Sequence, residues 1–140
     1  MIELTDLYRG KTRRELENIV SDYYRDNFQG KCVINKSINE EICFNAIGRS
    51  KTSFGGQRLG QIMSSHKATA ITVLDKLIED ATFTGSTPPK SKHIRKYRAI
   101  SFLNFAISCK IDNIIYDFKI AAMVRRGGKI HYSISEDYHI

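Results

Sequence analysis

The sequence predicts an α+β fold in which two helices pack on an antiparallel sheet ending in a three-strand meander. Three observations predict it. Apolar residues recur at helical spacing between Lys11 and Arg25 and again from Ser65 to Ala81. From Tyr97 onward the pattern changes to alternation, rich in aromatic and branched residues. Glycine, asparagine and proline gather between these stretches, where the chain has to turn.

Thr12 followed by Glu15 is a capping-box pattern, and Leu16, Ile19, Val20, Tyr23 and Tyr24 then fall on one helical face. A first helix is expected from about Lys11 to Arg25, ended by Asp26, Asn27, Gln29 and Gly30, because glycine and asparagine accept the left-handed backbone used at helix ends. Two short strands are expected at Cys32 to Asn35 and Glu41 to Ala46, joined by a polar turn. Gly48 to Gly60 reads as a glycine-rich loop, but it lacks the phosphate-loop spacing and no nucleotide fingerprint is present. The second helix carries Ala68, Ile71, Leu74, Leu77, Ile78 and Ala81, with Ser64 or Ser65 as its N-cap. Thr82 to Lys96, holding Pro88 and Pro89, reads as an exposed basic loop. Strands are then expected at Tyr97 to Ser108, Asn113 to Arg125 and Lys129 to Ser135.

A chain of 140 residues suits one domain, 1–140, with an N-terminal helical segment (1–30) and a core (31–135). It has no apolar run near the roughly 20 residues that span a bilayer, and no signal-peptide core, so a cytoplasmic location without membrane contact is expected. Cys32, Cys43 and Cys109 are odd in number and far apart in sequence, so they read as ordinary thiols. The four histidines show no metal-ligand spacing, and neither metal nor cofactor is expected. The net charge is +7, concentrated in Lys90 to Arg98 and Arg125 to Lys129. Such local excess draws in polyanions, although basic surface also serves solubility.

The last hairpin fixes a register. A two-residue turn at Gly127-Gly128 would send His131 to the apolar face, whereas a three-residue turn, Arg126 to Gly128, pairs Arg125 with Lys129 and Met123 with His131. One sheet face then carries Asp117, Lys119, Arg125, Lys129, His131 and Ser133.

In element order, and in the stretches Asn45 to Thr52 (NAIGRSKT), His66-Lys67, Ala70 to Ala81 (AITVLDKLIEDA), Tyr116 to Arg125 (YDFKIAAMVR) and His131-Tyr132-Ser133, the chain resembles the phage and mobile-element RNase domains of the barnase, EndoU, colicin and RelE group (BECR). The likeness spans about Lys31 to Ile134. It implies metal-independent RNA cleavage by a site of helix-side basic residues and polar sheet residues. No sheet glutamate of the barnase kind is evident, so the resemblance assigns no general base.

Cleavage by the ribose 2′-hydroxyl needs a proton acceptor, a fixed cation and a proton donor around one phosphate. His131 suits proton transfer near neutrality, and Arg125 offers a permanently charged fork. Lys51 and Lys67, or His66, would complete the catalytic set, and Ser133 would bind a phosphate oxygen or orient His131. Lys90, Lys92, His93, Arg95, Lys96, Arg98 and Lys129 are read as RNA-backbone contacts. The expected activity is an endoribonuclease of toxin or phage-effector type, with RNA and an acidic antitoxin or inhibitor as partners. The alternatives are a noncatalytic RNA- or DNA-binding module, and a protein-interaction domain such as an immunity or inhibitor protein.

Overall fold

A computed structural model of the chain describes residues 1–54 and 62–139, with side chains for 1–54 and 62–132. The described elements are, in order, β1 (Ile2–Leu4), α1 (Arg13–Asn27), β2 (Cys32–Asn35), β3 (Glu40–Phe44), α2 (Ala46–Phe54), α3 (Ser65–Ile71), α4 (Leu74–Asp80), β4 (Thr82–Thr87), α5 (Ser91–Tyr97), β5 (Ala99–Ile111), β6 (Ile114–Arg125) and β7 (Ile130–His139).

The strands form one sheet in the order β1-β5-β6-β7-β3-β2, with β4 on the same edge of β5 as β1. Two ladders, β1 with β5 and β3 with β7, are parallel, and the others are antiparallel. The expected fold of two helices on a simple antiparallel sheet is therefore corrected: the described residues make five helices and a mixed, curled half-barrel of seven strands.

Helix α1 begins as its capping box requires: Thr12 Oγ1 accepts from the Glu15 N–H, and Glu15 Oε1 accepts from the Thr12 N–H. Its buried Leu16, Val20 and Tyr24 meet the sheet's inner face, where Ile42, Phe44, Phe105, Phe118, Ile120 and Tyr132 form the main core with α3 and α4. The expected long second helix is two helices. Thr72 and Val73 interrupt it; the Thr72 hydroxyl donates to the Thr69 carbonyl at 2.6 Å, and Val73 sits outside helical geometry at φ −119°, ψ 27°. Buried Asn35 joins the β2–β3 hairpin to α4 by donating from Nδ2 to the carbonyls of Ile78 and Ala81.

Three stretches depart from the sequence reading. Ala46–Phe54 is a helix rather than the start of a loop. Its propensity is poor, but Asn45 Oδ1 accepts from the Gly48 N–H at 3.0 Å, and Gly48 lets the helix approach Tyr132 closely. The remainder of the expected glycine loop, 55–60, lies outside the described residues. The supposed loop Thr82 to Lys96 contains β4 and most of α5, and Ile2–Leu4 adds an edge strand.

The β5–β6 turn uses Asp112 and Asn113, both with positive φ, as a tight hairpin does. At the other end, the Arg125 N–H donates to the Lys129 carbonyl, and Met123 pairs with His131, which is the three-residue register. Cys32 and Cys43 face each other across the β2–β3 ladder and form a disulfide, so only Cys109 among the three is a free, buried thiol. Among the described residues no helix is long and apolar enough to cross a membrane.

Candidate functional site

The outer face of the sheet carries a row of residues in lateral register: Phe102 on β5, Met123 on β6, His131 on β7 and Cys43 on β3. Partners in register share a face, so these side chains stand side by side. Helix α5 folds over one end of the row. The His93 ring meets Phe102 edge-on at 5.4 Å and stacks on Tyr97 at 6.1 Å, while Phe102, Met123, Ala99 and Ala121 form a second small core. Arg125 lies along β6 from Met123, and its Nε donates to the Tyr97 carbonyl at 2.9 Å. Strands are about 4.8 Å apart, so His131 lies about 10 Å across the sheet from Phe102, against which His93 packs.

Nδ1 of His93 and Nδ1 of His131 are buried and have no hydrogen-bond partner; Ser53 Oγ is the third such described atom. Unpaired buried polar atoms are rare in folded proteins and cost stability. Burial holds the His131 imidazole below its ordinary pKa, and the positive charges of Arg125 and Lys129 add to the effect. The same holds for His93, where burial is reinforced by Lys51, Lys92 and Lys90. Two neutral imidazoles thus stand in a field of cations that invites an anion. Beside His131, a cleft of about 500 Å³ opens toward Cys43, Glu41 and Gly128.

Of the residues chosen from sequence, the structure sets His131 beside Arg125 and Lys129, and sets His93 in the field of Lys51, Lys90 and Lys92. It does not bring His66 to them. His66 Nδ1 bonds the Tyr116 hydroxyl on the inner face, and Tyr116 and Arg125 stand about 30 Å apart along β6. Lys67 is buried in α3 at 5% exposure. His66 and Lys67 thus lie apart from His131 and Arg125, because α3 docks against the opposite end and face of the sheet. The Ser133 side chain lies outside the described residues. Lys90, Lys92, Arg95, Lys96 and Arg98 are exposed on or beside α5, and Arg98 takes a left-handed conformation at φ 56° to turn the chain into β5.

Sequence reasoning missed the burial of His93. Its signal was the spacing of His93 and Tyr97, one helical turn apart after two prolines, which marks the apolar side of a short helix. Two further groups were not singled out: Asp6 and Asp112, which approach His66 at 3.6 and 3.7 Å. They lie too far apart in sequence for any local pattern to connect them.

No curated protein and no solved structure matches this chain. A family model does match over residues 11–132, which takes in every element from α1 to the start of β7. The chain accordingly belongs to the family described as large polyvalent protein-associated domain 3.

Proposed function

We propose that this domain is an endoribonuclease that cleaves RNA by attack of a ribose 2′-hydroxyl on the adjacent phosphate, using the outer sheet face around His131. The observation that carries the reading is the buried imidazole of His131, with an unpartnered nitrogen and with Arg125 and Lys129 as its charged neighbours. In this reading neutral His131 accepts the 2′-hydroxyl proton, and the leaving 5′-oxygen takes its proton from water. Arg125 is oriented by its bond to the Tyr97 carbonyl and directs its terminal nitrogens at the phosphate. Lys90, Lys92, Arg95 and Lys96 on α5 hold the flanking backbone and set the salt dependence of binding.

The test is incubation of RNA with the protein in chelator, with end-group analysis of the products. Wild type should leave 2′,3′-cyclic phosphate ends, and His131→Ala should slow cleavage by about 100-fold or more. Salt-sensitive binding with no cleavage would replace the enzyme reading with that of an RNA-binding module. Full cleavage by a His131→Ala, Arg125→Ala double variant would remove the site from this face.

A further inference from the structure

At the far end of the sheet, on its inner side, three chain segments converge. Asp6 follows β1, His66 lies in the first turn of α3, and Asp112 begins the β5–β6 turn. We propose that Asp6, His66 and Asp112 form a binding site for one divalent cation of the zinc class. His66 Nε2 stands 3.6 Å from Asp6 Oδ2 and 3.7 Å from Asp112 Oδ2, and one donor atom from each of the three residues lies within 4.8 Å of the others. Those separations exceed hydrogen-bonding distance, which ends near ~3.2 Å. They approach the edge of a coordination tetrahedron, which bond lengths of about 2.0 to 2.1 Å set at roughly 3.4 Å. The three groups are spaced as ligands around an ion.

Their surroundings hold them in that arrangement. The Tyr116 hydroxyl bonds His66 Nδ1 and leaves Nε2 as the ligating nitrogen. Asp6, with its side chain only 4% exposed, accepts from the Tyr8 N–H, Ser65 Oγ and Thr69 Oγ1. Asp112 Oδ1 accepts from the Asp6 N–H, which leaves Oδ2 facing His66. Arg9 meets one of the two carboxylates, at 3.3 Å from Asp112 Oδ2, through a side chain that is 83% exposed. An exposed arginine is held weakly and gives way to an ion. One imidazole and two carboxylates suit Zn²⁺ with water in the remaining position, whereas Ca²⁺ asks for six or more oxygens and Mg²⁺ keeps most of its waters. Bound there, the ion would fasten the N-terminal segment to α3 and the β5–β6 turn, remote from the His131 face.

The test is calorimetric titration of chelator-treated protein with Zn²⁺, with Co²⁺ as a spectroscopic probe of coordination. Wild type should take up one Zn²⁺ per chain, give the visible absorption of a low-coordinate Co²⁺ site, and melt at higher temperature with Zn²⁺ present. Asp112→Asn keeps the left-handed turn, because asparagine accepts positive φ, and it should weaken Zn²⁺ binding by about 100-fold or more. His66→Gln should do the same, with folding checked by circular dichroism. A Cys32→Ser, Cys43→Ser variant should bind as wild type does. Binding that survives Asp112→Asn and His66→Gln, or fails in wild type, overturns the proposal.

Discussion

Replacing Gly48 by alanine tests how α2 is seated, and α2 is what carries Lys51 to His93. A Cβ built there would lie 2.6 Å from the Tyr132 carbonyl oxygen, 2.6 Å from the Tyr24 hydroxyl and 3.0 Å from Tyr132 Cδ2. Neither neighbour yields easily. Tyr132 pairs with Ala122 on one side and Phe44 on the other, and the Tyr24 hydroxyl donates to the Asn45 carbonyl at 2.8 Å. Overpacking of this kind costs about 1 to 3 kcal/mol, and loss of the Tyr24 bond adds about 1 kcal/mol. Better helix propensity returns about 1 kcal/mol. The net expectation is destabilisation by about 2 kcal/mol, read by urea denaturation, with a melting temperature lower by about 4 to 8 °C. A Gly48→Ala protein as stable as wild type, or more so, would show that propensity governs this helix and that the contact with Tyr132 is not close.

Stability should also depend on pH through His93 and His131. Both imidazoles are held below their ordinary pKa in the fold, so the unfolded chain takes up protons first as pH falls below about 6.5. Stability is therefore complete above that value and is lost below it; the urea midpoint should drop between about pH 7 and about pH 5, less steeply in His131→Gln. A midpoint that is flat or rises over that window would contradict the burial of both rings. Reduction of the Cys32–Cys43 disulfide, which closes a short loop between residues 11 apart, should lower stability by about 2 to 3 kcal/mol, measured by denaturation with and without a dithiol. An unchanged midpoint would mean that the β2–β3 hairpin opens independently of the core.

Local chemistry made two features readable from sequence: the capping box of Thr12 and Glu15, and the alternation that fixed Met123 opposite His131. Each depends on neighbours within a few residues. What sequence could not supply was any pairing made between distant segments. Helix α2 forms against propensity because Gly48 reaches Tyr132, and β1 and β3 add parallel ladders through contacts made far along the chain. The disulfide is of the same kind, since Cys32 meets Cys43 only after the hairpin register is set.

For the candidate site, the residue types that carry chemistry, His131 and Arg125 among them, were evident as a cluster of basic and titratable groups at the last hairpin. Which groups stand beside them was decided by tertiary packing. Packing α5 on the sheet buried its His93 against Phe102, and docking α3 on the inner face carried His66 away to Asp6 and Asp112. Sequence alone determined the local periodicities and charges, because side chains a few residues apart interact in any conformation that places them on one face. Only the folded chain decided which charges share a surface, because that depends on apolar burial summed over the whole sheet, and short-range patterns do not encode it.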